Sequence, residues 1–289
     1  MASGSEALGQ RKKHKVKIGI TAPASRIEPK IAERVTALAR ACYGDRVELF
    51  FHPQCFLSAG HFAGDDAPRA AAFVEVANDP KFDALWVARG GYGSNRIAGR
   101  VMAALKPAAR NKIYLGYSDA GFLLAGLYKA GFEKLAHGPV VADFNRQGGE
   151  AAVARALAFL VDGAKETLEP SVATAPAAAF NITILSHLLG TPLQPDLAGH
   201  VLMLEEVSEQ IYRIDRAMFH ITADPNVRKV AGIRLGRCSD IPPNDPDFCA
   251  TEEDVAKDWC GRAGIPYLGR ANIGHDIYNK VVPFGRWRP

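Results

Sequence analysis

Hydrophobic residues in the first half of the chain follow two alternating spacings. Apolar runs typical of buried strands occupy residues 16–21, 47–51, 82–88, 112–117 and 135–141. Between these runs the apolar residues recur every three or four positions, as in Ile31, Val35 and Leu38, which is the spacing of one helix face. Strands that alternate with helices predict a parallel sheet covered by helices on both faces, the doubly wound α/β arrangement.

The second half of the chain has a less regular pattern. A helical segment near 151–161 leads into the alanine-rich stretch 172–179, which has the composition of a connector. Beyond it, strand-like runs flank a helical pattern over 211–221. We predict a smaller, β-rich α+β domain in this region. The expected divisions are a basic flexible tail over 1–16, the doubly wound α/β domain over 17–143, a linker over 144–179 and the C-terminal domain over 180–289.

Charge and cysteine content limit the classes of function. The chain carries 35 basic and 31 acidic side chains, but five of the basic residues and one acid lie within residues 1–17. The remainder holds 30 of each sign, so we expect no surface for nucleic acid. Five cysteines without a CxxC pair predict neither a disulfide framework nor a metal site, and we expect no cofactor. The absence of signal-like and membrane-spanning apolar segments favours the cytoplasm.

The strand at 112–117 ends in a turn that can hold a nucleophile. Ser118 stands between Gly116 and Gly121, where the spacing changes from strand to helix. A sharp strand-to-helix turn can raise a serine hydroxyl above the sheet edge. The Gly-x-Ser-x-x-Gly spacing alone favours a helix cap at Ser118 or Asp119. The turn follows a predicted parallel strand, however, and α/β sheets bind ligands at the carboxyl ends of their strands, which favours chemistry at Ser118.

A serine nucleophile needs a base, and the base needs an acid that orients it. His275 lies in a glycine-flanked loop near the carboxyl end of the chain, and Glu205 ends an apolar strand. Both positions suit these roles, although a loop histidine is commonly exposed and a glutamate at a strand end commonly meets solvent. His137, His187 and His200 are alternative bases that the spacing does not exclude.

Short motifs along nearly the whole chain resemble one family. In order they are IGITAPA (18–24), ARGGYG (88–93), GYSD (116–119), HGP (137–139), LLGTP (188–192), LEE (204–206), YRIDR (212–216) and GH (274–275). In this order and spacing the chain resembles the serine peptidases that include the muropeptide LD-carboxypeptidases and the microcin C immunity protein. Two motifs depart from the family pattern, because LEE replaces Leu-Glu-Asp and AFNI at 179–182 replaces Gly-Gly-Asn-Leu.

The resemblance implies a catalytic triad of Ser118, His275 and Glu205. The oxyanion that such a mechanism forms needs two donors, and we assign the backbone N–H groups of Asp119 and Gly91 to it.

Two further residues of the 89–93 loop are candidates for binding the substrate. Arg89 either pairs within its loop or attracts the terminal carboxylate of the substrate, and Tyr92 is expected to form a pocket wall.

The resemblance also implies a substrate. It is a muropeptide tetrapeptide of peptidoglycan recycling, cleaved between its third residue, an L-centre, and a terminal D-alanine. One alternative is an immunity-type hydrolase of a microcin-like aminoacyl-nucleotide. Another is a non-catalytic two-domain protein that binds a small ligand, although a binder has no need of all three triad residues. The expected partner is a small peptide, with no nucleic acid and no membrane, and a homodimer is allowed.

Overall fold

The computed structural model describes residues 15–173 and 175–289, so residues 1–14 of the predicted basic tail lie outside the described residues. In the described chain the first half is built on a six-stranded sheet of order β10-β5-β4-β3-β1-β2. The neighbouring strands β1 to β5 are parallel, and the short β10, from the end of the chain, runs antiparallel to β5. Their bounds are β1 (Val16–Thr21), β2 (Val47–Phe51), β3 (Ala84–Val87), β4 (Ile113–Gly116), β5 (Leu135–His137) and β10 (Val282–Pro283).

Helices cover both faces of this sheet. They are α1 (Pro29–Tyr43), α2 (Asp66–Asn78), α3 (Ser94–Ala104), α4 (Gly121–Lys129) and α5 (Glu150–Asp162). Neighbouring strand residues point to opposite faces, so Leu85 packs in one cluster with Phe73 of α2, while Trp86 packs in the other with Val35 of α1 and Leu157 of α5. The predicted doubly wound domain is confirmed. Among the described residues, no helix combines the length and apolar character needed to cross a membrane.

A second, four-stranded sheet lies in the C-terminal half, in the order β6-β7-β8-β9. Its strands are β6 (Ala177–Asn181), β7 (Val201–Val207), β8 (Gly232–Ser239) and β9 (Tyr267–Arg270), joined by α6 (Ile182–Leu188), α7 (Ile211–Ala223) and α8 (Glu252–Ala263). A smaller second domain of strands and helices is confirmed. All neighbouring strands of this sheet are parallel, because a helix carries the chain back between successive strands.

The two halves pack against each other. Leu124 of α4 and Leu185 of α6 belong to the same buried cluster, and the rings of Phe180 and Phe284 lie 5.3 Å apart. The predicted linker over 144–179 contains α5, which packs against α1, and the start of β6. The predicted domain divisions themselves stay predictions.

The strand order fixes where a ligand crevice can form. From β1 the chain adds β2 on one side and β3 on the other, so the order reverses between β1 and β3. In open α/β sheets the ligand site lies at the carboxyl ends of the strands next to such a reversal. The loops after β1 and β3 meet there, since the Ser25 N–H donates a hydrogen bond to the Gly90 carbonyl over 3.4 Å.

Candidate active site

The turn after β4 holds Ser118 in a strained backbone conformation. Its φ of +59° lies in the left-handed region, which residues other than glycine rarely adopt. Ser118 begins a short 3-10 turn, Ser118–Ala120, that leads directly into α4. Strain of this kind persists only where its surroundings hold it, and it is concentrated at functional sites. A strained turn between a strand and a helix is the geometry that exposes a serine nucleophile.

The loop after β3 holds the Ser118 turn in place. Gly90 lies so close that a Cβ atom there would sit 3.0 Å from Ser118 Oγ, which explains the need for glycine. Asp119 Oδ2 accepts a hydrogen bond from the Ser94 N–H over 2.8 Å, at the first residue of α3. Burial raises the pKa of Asp119, and its bonds to Ser94 offset part of that rise. The Asp119 side chain therefore binds the start of α3 and ties the turn to the 89–93 loop.

His275 and Glu205 form a buried pair. His275 lies in the loop after β9 and is 7% exposed, while Glu205 in β7 is fully buried. The Nδ1 atom of His275 lies 2.5 Å from Oε2 of Glu205. Burial lowers the pKa of His275, but the nearby carboxylates, Glu205 first among them, together raise it by more, so the pKa stands above its ordinary value of 6.5. Because Nδ1 is occupied, Nε2 is the ring nitrogen left for proton transfer.

Polar contacts fix the loop that carries His275. Arg237 of β8 forms an ion pair with Asp276, in which Nη2 donates to Oδ1 over 2.8 Å, and its Nη1 donates to Asn272 Oδ1 over 2.7 Å. The Gly274 N–H donates to the side chain of Asn279 over 3.3 Å. These contacts fix the loop both before and after His275 in the sequence, and they thereby fix the position of its imidazole.

The acid in contact with His275 is Glu205 and not its neighbour Glu206. Glu206 accepts hydrogen bonds from Asn181 Nδ2 over 2.5 Å, from the Thr183 N–H over 2.8 Å and from its neighbour Val207. The pairing of β7 with β8 shifts register between Leu204 and Glu206, and such a bulge turns a side chain in a new direction. Glu206 thus stabilises the end of β6, while Glu205 is left to meet the histidine.

Ser118 and His275 line the same cavity, of about 490 Å³. The first half of the chain contributes Arg89 to its wall, the predicted linker contributes Arg146, and the C-terminal half contributes Val207. A larger cavity, of about 680 Å³, lies beside Lys129, but no serine or histidine lines it. We therefore place the candidate active site in the smaller cavity, at the carboxyl ends of β3 and β4.

The alternative bases lie elsewhere. His137 ends β5 and is buried, with its ring packed against Tyr117 at a centroid distance of 5.4 Å. His187 is exposed on α6, and His200 bonds to the hydroxyl of Tyr128 over 2.7 Å. None of the three lines the cavity that contains Ser118.

The other predicted site residues are placed as follows. Asp119 directly follows Ser118, and both Gly91 and Arg89 line the cavity. The Arg89 guanidinium donates to the Arg26 carbonyl over 3.3 Å and is otherwise exposed. Tyr92 is outside the cavity lining; it is 48% exposed and contacts the rings of His61 and Phe62. The assigned roles of these residues stay predictions.

A hydrogen-bonded group beside the site was missed in the sequence. Asp143 is 4% exposed and accepts a hydrogen bond from the Tyr117 hydroxyl over 2.8 Å and another from Arg146 Nε over 3.1 Å. The Tyr117 ring lies against His275, with centroids 4.7 Å apart. The only local signal was the spacing of three between Asp143 and Arg146, which is too common to indicate a site. Within the described residues, no cluster of three or more histidine, cysteine or carboxylate side chains suits a metal ion.

Comparison with known proteins decides the family. A model of the LD-carboxypeptidase N-terminal domain matches residues 18–138, and a model of the C-terminal domain matches residues 175–288. The chain belongs to the LD-carboxypeptidase family. A Synechocystis sp. protein with a carboxypeptidase name is 34% identical over 234 residues, which cover 78% of this chain and 75% of that protein. The murein tetrapeptide carboxypeptidase of Pseudomonas aeruginosa is 24% identical over 292 residues, 93% of this chain and 91% of that protein.

Family membership gives the general function, that of a carboxypeptidase, and solved structures show the same fold. The muramoyltetrapeptide carboxypeptidase from Oxalobacter formigenes aligns with a TM-score of 0.78 at 22% identity, over 93% of each chain. The microcin C7 self immunity protein MccF in complex with aspartyl sulfamoyl adenosine aligns with a TM-score of 0.76 at 18% identity, over 94% of this chain and 92% of that one. The predicted resemblance to this family is confirmed.

Proposed function

We propose that the protein is a serine LD-carboxypeptidase that releases a terminal D-residue, D-alanine, from a muropeptide tetrapeptide. The observation that carries this proposal is the buried Glu205–His275 pair, which lies at the cavity that Ser118 also lines. The name of the Pseudomonas aeruginosa relative supports the murein tetrapeptide as the substrate. Peptidoglycan recycling in the cytoplasm, with this small peptide as the partner, is part of the same proposal.

In the first half of the proposed reaction, His275 acts as the base. Its Nε2 takes the proton of Ser118 Oγ as that oxygen attacks the carbonyl carbon before the terminal residue. Glu205, in contact with Nδ1, stabilises the imidazolium that forms. The tetrahedral intermediate then collapses, the C–N bond breaks, and the imidazolium gives its proton to the departing amine of D-alanine.

In the second half, water replaces the amine. His275 takes a proton from the water as the water oxygen attacks the acyl-serine. It returns that proton to Ser118 Oγ when the ester bond breaks. The products are the tripeptide, with a new carboxylate, and free Ser118. No metal or cofactor enters this balance.

Backbone geometry supports the proposed oxyanion donors. The Asp119 N–H lies in the first turn of a helical segment, where N–H groups have no acceptor within the helix. The Gly90 carbonyl accepts from Ser25, and across a trans peptide the N–H of the next residue points the opposite way. The Gly91 N–H therefore points away from Ser25. Loss of one such donor typically lowers the rate by about 10²–10³-fold.

The test uses the tetrapeptide with terminal D-alanine, the matched peptide with terminal L-alanine, and mass spectrometry to detect the alanine lost. We expect release of D-alanine only, and none by Ser118→Ala. Equal release from both peptides contradicts the LD assignment. An aminoacyl sulfamoyl nucleoside serves as a second substrate, and its hydrolysis in place of the tetrapeptide indicates an immunity-type enzyme. Binding of the tetrapeptide without any turnover indicates a non-catalytic binding protein.

A further inference from the structure

A carboxypeptidase must distinguish the end of a peptide from its interior, and the end carries a free carboxylate. The recognising group must therefore lie in the same cavity as the nucleophile and present hydrogen-bond donors to a carboxylate. Arginine is best suited to this, because its planar guanidinium binds a carboxylate through two parallel N–H bonds. In the described lining of the site cavity, the cationic side chains are those of Arg89 and Arg146.

Arg146 is held in a fixed orientation. Its Nε donates to Asp143 Oδ1 over 3.1 Å, and the Asp143 carboxylate is itself fixed by two other donors. These are the Tyr117 hydroxyl at 2.8 Å on Oδ1 and the Val140 N–H at 3.0 Å on Oδ2. Three donors thus hold the Asp143 carboxylate, and among the described residues neither Nη group of Arg146 bonds to another carboxylate or to a carbonyl, so both can bind a ligand. The Arg146 side chain is 38% exposed, so those groups are accessible from the cavity.

Arg89 lacks such support. Its one hydrogen bond among the described residues runs from Nη1 to the Arg26 carbonyl over 3.3 Å, and no carboxylate orients it. Both arginines are exposed, so the difference between them lies in this support and not in access. An unsupported arginine loses side-chain entropy when it binds a ligand, whereas an oriented one has already lost it. The structure thus separates two arginines that are equivalent by charge alone.

We propose that Arg146 binds the terminal carboxylate of the substrate, oriented for this by Asp143. The inference rests on the proposed carboxypeptidase function and names the specificity-determining residue of that same site. The Tyr117 hydroxyl bonds to Asp143 and the Tyr117 ring lies 4.7 Å from that of His275. The carboxylate anchor and the base are therefore connected through one buried tyrosine, next in the chain to Ser118.

The first experiment measures kcat/KM for the tetrapeptide with a free terminal carboxylate and for the same peptide with a terminal carboxamide. Truncating one partner of a buried, hydrogen-bonded charge pair at an interface costs on the order of 30-fold to several thousand-fold. We expect Arg146→Met to lose about 10²-fold or more on the carboxylate peptide, mostly through KM, and little on the carboxamide. Arg146→Lys restores part of the loss, and Arg89→Met serves as the matched control, with a smaller effect.

The second experiment measures binding without turnover. Calorimetry compares the two peptides on Ser118→Ala and on the Ser118→Ala/Arg146→Met double variant. We expect Ser118→Ala to prefer the carboxylate peptide and the double variant to lose that preference. An unchanged preference in this double variant, or its loss in a Ser118→Ala/Arg89→Met double variant measured in the same way, overturns the role of Arg146. Failure of the wild-type protein to release alanine overturns the proposed function instead, and the binding measurement still decides on Arg146.

Discussion

His137 should make the stability of the fold depend on pH in a predictable direction. It is 1% exposed at the end of β5, and burial lowers its pKa from 6.5 to about 4. Among the described residues, neither of its ring nitrogens has a hydrogen-bond partner. The perturbation is His137→Phe, which keeps a planar ring beside Tyr117 and removes the titrating group without breaking a hydrogen bond.

The magnitude follows from proton linkage. The unfolded chain protonates His137 below about pH 6.5, whereas the folded protein does so only below about pH 4. Between these values the unfolded state holds about one more proton. The free energy of unfolding therefore falls as the pH falls, by about 1.4 kcal/mol per pH unit from this group. Above pH 6.5 the buried, neutral His137 does not lower the free energy of unfolding. By pH 4 its protonation in the unfolded chain has lowered that free energy by about 3 kcal/mol.

The assay is urea denaturation at pH 7, 6 and 5, with the free energy of unfolding obtained at each pH for the wild-type protein and for His137→Phe. Other groups titrate in both proteins, so the difference between the two isolates His137. Between pH 7 and pH 5 we expect the wild-type protein to lose about 2 kcal/mol more than the variant. His187→Gln, which removes an exposed imidazole, is the control and should follow the wild-type curve.

Parallel curves for the wild-type protein and His137→Phe between pH 7 and pH 5 would refute this reasoning. They would mean that His137 is charged in the folded protein, where a partner must then compensate its burial. A free energy of unfolding that falls more steeply with decreasing pH in the variant than in the wild-type protein would also refute the reasoning, because the effect of His137 would then have the opposite sign.

Two further predictions concern the proposed triad. Ser118→Ala should abolish turnover and leave the free energy of unfolding nearly unchanged; loss of about 1 kcal/mol with activity retained would instead identify a helix cap. Glu205→Gln should lower the pKa of His275, because it removes the charge that raises it. The acidic limb of the rate–pH profile then moves to lower pH and kcat falls by about 10²–10⁴-fold; a limb that stays in place would contradict the pairing.

The sequence by itself determined the features that depend on neighbours along the chain. The strand and helix spacings over residues 16–141 identified the parallel sheet, because side-chain direction repeats every two residues in a strand and every 3.6 in a helix. The glycines around Ser118 indicated the turn after β4, because they are close neighbours of that serine along the chain. The ordered motifs from 18 to 275 identified the family.

The tertiary structure alone decided which side chains meet. His275 and Glu205 are 70 positions apart, and no local spacing distinguishes Glu205 from Glu206 or His275 from His137. Which glutamate and which histidine meet depends on a β-bulge in β7 and on which residues face the cavity that contains Ser118. The sequence analysis missed the Asp143–Arg146 group because the group is connected to the site through Tyr117, which lies on another element. Contacts of this kind arise when segments that are distant in the sequence pack together. A local pattern of hydrophobic and polar residues does not predict them.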